Sequence, residues 1–498
     1  AYYVSIYKVY RDVRLVFTAT ETLGKFGGDT DNWMWPRQTC DFSVFRIYAD
    51  KDGNPAEYSP ENVPLHTSRY AQVSTEGFRP GDYCMTVGYP GSTSRYLSSW
   101  GISERVNDRN VSTIQVRGRK QEVWKKFMDA DRAVGIKYAS KWASSSNYWK
   151  NSIGMNKAIA DLGVIGQKQQ LEQRIRDWYS QDAALQRRFG EMFSQLQAAY
   201  QARRQSVHAQ GFFSETFMRG IEIYRVASML NRLPQDADST QLAATKEALK
   251  HFFKDYDARL DEATMAALLD NYRQQVTDRK FHPACYQVID SLYKDDCAAY
   301  ARDLYARTIC LDTNCLDRLM ADSTLRESDP ALVYADALPD MLMQMVGEQK
   351  ENNNIINYNE RLLTQALMEM EQDEPHYSDA NFTMRISYGF IQDYTSQGTH
   401  YDYYTNAQSL LDKAAKQNEI EDYRLEEDIV GLLKQGKWGR YADKQTGDMH
   451  LCFLSNNDIT GGNSGSPMFN GRGELIGLAF DGNWDAMSGD ISFDSSLQ

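Results

Sequence analysis

Glycine usage divides this chain of 498 residues. Of its 32 glycines, eight precede residue 101, ten lie between 101 and 375, and fourteen follow. Glycine is costly inside helices and useful where the backbone turns tightly, so a strand-rich, helix-rich, strand-rich order is expected. In the middle part Leu171, Ile175, Trp178, Leu185, Phe189, Met192, Leu196 and Tyr200 recur at threes, fours and sevens. That spacing predicts one helix face, with Glu172, Arg174, Arg176, Arg187 and Arg188 largely off it. Ile223, Val226, Ala227, Leu230 and Leu233 keep the period up to Pro234, and PQDADST then reads as a loop. Leu249, Phe252, Phe253, Tyr256 and Leu260 form another stripe. No fixed-period repeat is present, which favours packed helices over a solenoid.

The flanks read as short β-rich runs separated by glycine turns: CDFSVFRIYAD, DYCMTVGYPG, MHLCFLSNND and SPMFNGRGELIGLAFDGNW. NGRGE between two such runs is a hairpin signal. The opening AYYVSIYKVY is also strand-like. The length fits two or three domains. With 42% hydrophobic and 25% charged residues, wholesale disorder is not expected. No run approaches eighteen apolar residues, so no membrane-spanning helix is expected, and no signal-peptide pattern is read within these residues. The 55 basic and 68 acidic residues leave a net charge of −13, which repels phosphate backbones and excludes nucleic acid as the expected partner.

The seven cysteines are few and odd in number, so no disulfide framework is expected. Cys285, Cys297, Cys310 and Cys315, with His282 nearby, lack the paired short spacing of a zinc site and read as buried thiols. No metal or other cofactor is called for.

The sharpest local feature is Thr460-Gly461-Gly462-Asn463-Ser464-Gly465-Ser466-Pro467 between two expected strands. A nucleophilic serine needs an exposed hydroxyl on a tight turn, with backbone N–H groups aimed at the oxygen that becomes negative during attack. In a trypsin-like arrangement those donors are the amides of Gly462 and Ser464. A plain hairpin loop has the same composition, so the tetrapeptide Gly-Asn-Ser-Gly alone leaves both readings open.

Longer runs carry more information. FGGDTDNWMWPR at 26–37, Asp41-Phe42-Ser43, Gly88-Tyr89-Pro90-Gly91, Asn147-Tyr148-Trp149-Lys150-Asn151 and Ala479-Phe480-Asp481-Gly482-Asn483-Trp484 resemble the bacterial dipeptidyl-peptidase 7 and 11 family of serine exopeptidases, and they keep its order. The resemblance implies an α+β fold: a chymotrypsin-like double β-barrel with a large inserted α-helical domain over the active site. The expected divisions are 1–95 for part of the first barrel, 96–375 for the helical domain and 376–498 for the second barrel. It further implies Ser464 as nucleophile and Asp41 as the carboxylate that orients a catalytic imidazole. Cys40 stands where the family usually has Gly.

The chymotrypsin-like order places the catalytic His before the Asp, yet the first histidine is His66. His208, His251, His282, His376, His400 and His450 lie further on. The expectation is therefore that the catalytic His, the secretion signal and a short terminal piece of the second barrel lie outside these 498 residues, and that the chain by itself is inactive.

An exopeptidase must also hold its substrate's ammonium, which needs a carboxylate and further acceptors. By resemblance Asp481 is that carboxylate, Asn32 a second acceptor, Trp33 a pocket wall, and Asn147 a holder of the substrate backbone. Each also has a plain reading, as a turn, a cap or a core residue. Relatives that prefer Asp or Glu before the scissile bond carry Arg directly after the anchoring Asp. Here that position is Gly482, which implies an apolar preference of the dipeptidyl-peptidase 7 type. The expected activity is release of dipeptides from peptides with a free N-terminus, in the periplasm or at the cell surface, with a homodimer suggested by the family alone. A trypsin-like endopeptidase and an inactive binder of peptide N-termini remain the alternatives.

Overall fold

The computed structural model describes residue 4 and residues 6–497. Contacts group the chain into two compact units. One runs up to Thr93 and resumes at Asp379; the other is Ser94–Ser378.

Among the described residues the strand-rich unit contains four sheets. β1 (Val13–Thr18), β2 (Ser43–Ala49) and β3 (Val63–Pro64) form one in that order. β1 and β2 pair antiparallel, Val13 opposite Ile47 and Thr18 opposite Ser43. β4 (Tyr83–Gly88) and β5 (Arg385–Phe390) pair antiparallel, Tyr83 opposite Phe390. Two short ladders follow, β6 (Tyr394–Ser396) with β7 (Thr399–Tyr401) and β8 (Tyr404–Asn406) with β9 (His450–Phe453). β10 (Pro467–Asn470) and β11 (Leu475–Leu478) are the hairpin expected around NGRGE. Its turn needs Gly473 at φ +77°, and the Asn470 side chain accepts the amides of Arg472 and Glu474 at 2.9 and 3.0 Å. The four-stranded sheet has the order β11-β10-β4-β5, so text from both ends of the sequence is woven into one ladder.

Two expectations change here. Of the strand-like opening, residues 1–3 and 5 lie outside the described residues, while residue 4 and residues 6–12 join no strand. The mixed helix and sheet class holds, but no barrel closes among the described residues: the widest sheet has four strands and stays open. Closure requires every edge to be paired. Leu15, Phe17, Phe45 and Ile47 accordingly stand 59%, 49%, 59% and 41% exposed.

The second unit is helical. Its larger core joins Phe212, Phe213, Phe217, Leu268, Leu269, Tyr272, Phe281 and Ile289 among others, all essentially inaccessible. Burial of such side chains is the main favourable term, about 1.5–3 kcal/mol each. The expected stripe from Leu171 to Tyr200 does converge on one core, with Ile175, Phe189, Met192, Leu196 and Tyr200 buried together. It does so on three helices, Val164–Ser180, Ala183–Phe189 and Met192–Phe213. Asp182 ends the first register by capping the second helix, accepting the amides of Ala184 and Leu185 at 2.6 and 3.0 Å. The stripe around Leu249 likewise splits into Ser239–Lys254 and Ala258–Gln275, the second capped by Asp257. Glu172, expected on the outer face, is buried because it accepts both the amide and the hydroxyl of Ser99 at 2.6 and 2.9 Å. All seven cysteines are free, and the four in the helical unit are buried core thiols whose pKa values burial pushes up.

Candidate active site

The serine loop leads from β9 into β10 and is tied at both ends. Asn463 is buried; its side-chain oxygen accepts the Thr460 amide at 3.2 Å, and its own amide donates to the Thr460 carbonyl at 3.0 Å. The Gly465 amide donates to the Ala479 carbonyl at 2.6 Å, and the Ala479 amide returns to the Ser466 carbonyl at 2.9 Å. Gly462 sits at φ +106°, where an added Cβ would overlap the Tyr89 carbonyl oxygen, so only glycine fits. Gly88 answers it from β4, since a Cβ there would overlap the Ser466 hydroxyl. The Gly91 amide completes the contact by donating to the Gly461 carbonyl at 2.7 Å. The GYPG run and the serine run, remote in sequence, thus pack backbone to backbone.

Two features of the loop bear on chemistry. Ser464 is exposed, and its hydroxyl lies 3.4 Å from the Phe480 carbonyl. The amides of Asn463, Gly465 and Ser466 are all used within the structure, whereas those of Gly462 and Ser464 donate to nothing among the described residues.

Asp41 lies just before β2, exposed and without a hydrogen bond among the described residues. No hydrogen bond joins it to Ser464 among the described residues. None of the histidines bonds to either residue. His208 meets Asp108 at 3.2 Å, the His282 Nε2 meets the Val276 carbonyl at 2.6 Å, and His400 lies 3.5 Å from both Asp393 and Asp402. His376 is 3.9 Å from Glu371, His450 is stacked on Tyr404, and His66 and His251 are exposed. Burial pushes the pKa of the Cys40 thiol up, and the adjacent Asp41 adds to this.

The run at 26–37 is a succession of turns held by side chains. Gly27, at φ +84°, allows the Asp31 side chain to lie against it. The Asp31 carboxylate then accepts the Tyr423 hydroxyl at 2.7 Å and the Lys413 ammonium at 2.6 Å. Trp33 follows at φ +65°, a left-handed conformation that costs an L-residue about 1–2 kcal/mol. It is held there by Asp481, whose Oδ2 accepts the Trp33 amide at 3.1 Å. The same oxygen accepts Arg37 Nη1 at 2.5 Å, and Oδ1 accepts the Gly482 amide at 2.9 Å. Asp481 and the tryptophan-rich run are therefore brought together, with Asn32 half-buried beside Trp33. Gly482 is exposed, and a Cβ added to it would meet nothing within 4 Å. Asn147 lies on the helix Arg132–Asp161 of the other unit and is half-buried.

Sequence reasoning missed Arg37 as the partner of Asp481, although Arg37 stands inside the motif it singled out. The only available signal was an arginine in an otherwise acidic and aromatic run. No group of three or more His, Cys, Asp or Glu side chains able to hold a metal ion occurs among the described residues. No helix among them is long and apolar enough to cross a membrane.

Residues 1–498 match the Peptidase S46 family throughout. Dipeptidyl-peptidase 7 of Porphyromonas gingivalis is 42% identical over 504 residues, covering 100% of this chain and 70% of that protein. The protein of the same name from Porphyromonas endodontalis is also 42% identical, and the chain covers 61% of its length. The Asp/Glu-specific dipeptidyl-peptidase of P. gingivalis is 32% identical, with 99% of this chain and 69% of that protein covered. Among solved structures, P. endodontalis DPP11 in complex with the dipeptide Arg-Asp superposes with a TM-score of 0.85 at 30% identity, covering 98% of this chain and 70% of that one. The chain thus spans between 61% and 70% of the length of these relatives. Matches that run the whole length of the chain at these identities settle its lineage: it belongs to the peptidase S46 family, whose relatives here carry dipeptidyl-peptidase names.

Proposed function

We propose that this chain forms the body of a serine-type dipeptidyl aminopeptidase that releases dipeptides from free N-termini and prefers apolar residues before the scissile bond. One observation carries the reading: the exposed Ser464 hydroxyl lies against the carbonyl of Phe480, the residue next to the carboxylate of Asp481. An ammonium held at Asp481 is then within a short peptide's reach of the hydroxyl, at about 3.3–3.6 Å per extended residue. In this reading Ser464 is the nucleophile, and the unused amides of Gly462 and Ser464 receive the developing oxyanion. Asp41 orients the catalytic His. Asn32 and Asp481 bind the ammonium, Trp33 walls the pocket and Asn147 holds the substrate backbone. The open sheets of the strand-rich unit belong to chymotrypsin-like barrels, whose interiors would take up the exposed apolar residues of β1 and β2. A location in the periplasm or at the cell surface is part of the same reading.

The test is product analysis with the full-length enzyme. Incubated with an oligopeptide and its N-acetylated twin, it should release successive dipeptides from the first and leave the second intact. Internal cuts in both would establish an endopeptidase instead.

The apolar preference rests on Gly482, which offers no cation to an acidic side chain. Gly482→Arg should raise the ratio of acidic to apolar turnover about tenfold or more, as charge-assisted pairing allows. A Cβ added at Gly482 meets nothing within 4 Å, so the substitution introduces no clash at its root. An unchanged ratio, or a parent enzyme that already prefers Asp or Glu, would remove Gly482 from the specificity pocket.

A further inference from the structure

Arg37 is the cation nearest to the carboxylate that the proposed function assigns to the substrate's amino terminus. Its Nη1 donates to Asp481 Oδ2 at 2.5 Å and to the Asp31 carbonyl at 3.0 Å. The two side chains of the pair are 13% and 11% exposed. The Arg37 carbonyl is in turn held by the Thr405 hydroxyl at 2.7 Å, and its guanidinium lies 5.5 Å from the Phe480 ring. Arg37 Nε is buried with no hydrogen-bond partner, so the group is placed by what Nη1 holds.

The lone pairs of Asp481 can be counted. A carboxylate oxygen offers about two acceptor sites. Oδ2 fills both, with the Trp33 amide and Arg37, whereas Oδ1 fills one, with the Gly482 amide. The remaining acceptor site is therefore on Oδ1. The pair is also neutral before a ligand arrives, so orientation rather than net attraction must supply selectivity for an ammonium.

We infer that Arg37 is a positioning residue for the substrate's amino terminus: by occupying Oδ2 it fixes the Asp481 carboxylate so that Oδ1 alone presents an acceptor to the incoming ammonium. The inference rests on the reading of Asp481 as the ammonium anchor. Without Arg37 the carboxylate keeps its charge and its bonds to the Trp33 and Gly482 amides but loses the charged restraint on Oδ2, so the ammonium meets a less firmly prepared acceptor.

Calorimetric titration of the full-length protein with leucyl-leucine and with its des-amino analogue isolates the ammonium contribution as a ratio of two affinities. Arg37→Met should lower that ratio about tenfold, the worth of one charge-assisted hydrogen bond. The analogue's own affinity should stay within about twofold, which a general loss of structure would not allow. Arg37→Lys, which keeps a donor toward Oδ2, should recover most of the ratio. Asp481→Asn separates the two levels of the argument. If it abolishes the preference for the free ammonium while Arg37→Met leaves that preference unchanged or raises it, the role of Arg37 is overturned and the anchor stands. If Asp481→Asn leaves the preference intact, or the parent protein binds neither ligand, the anchor itself fails and the inference falls with it.

Discussion

Replacing Ser464 by alanine in the full-length enzyme should lower kcat for free-amino dipeptidyl substrates by at least about a thousandfold, with little change in substrate affinity. The reason is geometric. The exposed Ser464 side chain sits on a loop whose amides at 462 and 464 donate to nothing among the described residues, while those of Thr460, Asn463, Gly465 and Ser466 are tied down. Loss of a nucleophile leaves only binding and oxyanion stabilisation, which account for a residual rate far below that of the intact machinery. The loop should survive the change, because its restraints run through the Asn463 side chain, the Gly462 conformation and the backbone bonds to Ala479, none of which uses the serine hydroxyl. Pre-steady-state kinetics would check this: the variant should bind substrate normally and show no acyl-enzyme burst. A variant retaining more than a tenth of parental kcat would remove Ser464 from the chemistry.

The second large effect lies in the helical unit and concerns stability. Lys120, on the helix Asn110–Ala130, is 5% exposed and makes no ion pair or hydrogen bond among the described residues; its ammonium lies 4.8 Å from the Trp124 ring centre. The carboxylates around it are already engaged. Glu215 pairs with Arg117 and Arg219 at 2.7 and 2.9 Å, and Glu222 with Lys141 at 2.8 Å. Asp261 accepts the amides of Glu222 and Ile223 and the hydroxyls of Tyr256 and Tyr305. Burial foremost, and then the charge of Arg117, lower the pKa of Lys120 to about 8, against the partial opposition of Glu215, Glu222 and Asp261.

The unfolded chain therefore binds the proton more tightly than the folded one. Stability rises with pH between about 8 and 10.5, and below 8 the folded state bears the full cost of the buried charge. That cost is about 3 kcal/mol, partly offset by the aromatic ring. Lys120→Met should accordingly stabilise the helical unit by about 1–3 kcal/mol at pH 7, as replacement of buried charge by a hydrophobe of similar length often does. Denaturant titrations at pH 7 and pH 9.5 would show the advantage shrinking at the higher pH. A methionine variant less stable at pH 7, or a difference that does not change with pH, would contradict the argument.

Local features were legible wherever the chemistry was local. The NGRGE turn could be read because its glycine and its Asn side chain act within five residues. The apolar stripe from Leu171 to Tyr200 was readable as a core face, but not as three helices. Periodicity reports which residues face inward; a cap such as Asp182 can restart the helix without disturbing that spacing. Glu172 was misplaced for a related reason, since its burial depends on Ser99, 73 residues earlier.

The serine loop was recognised from its composition, but what makes it rigid was not. The overlap that forbids a side chain at Gly462 comes from Tyr89, on a different stretch of chain. Arg37 and Asp481 are 444 residues apart, and only Asp481 was readable singly, as a candidate anchor. That the two form a largely buried ion pair follows only from their meeting.

The sequence by itself determined the order of strand-rich and helix-rich text, the turn chemistry, the S46 lineage and the candidate nucleophile. Each depends on spacing along a few tens of residues or on runs long enough to identify a family. Tertiary structure alone decided which buried charges are paired, which amides remain unused, and which sheets stay open. Those outcomes depend on which distant segments touch, and hydrogen bonds and ion pairs act over a few ångströms in space whatever their separation along the chain.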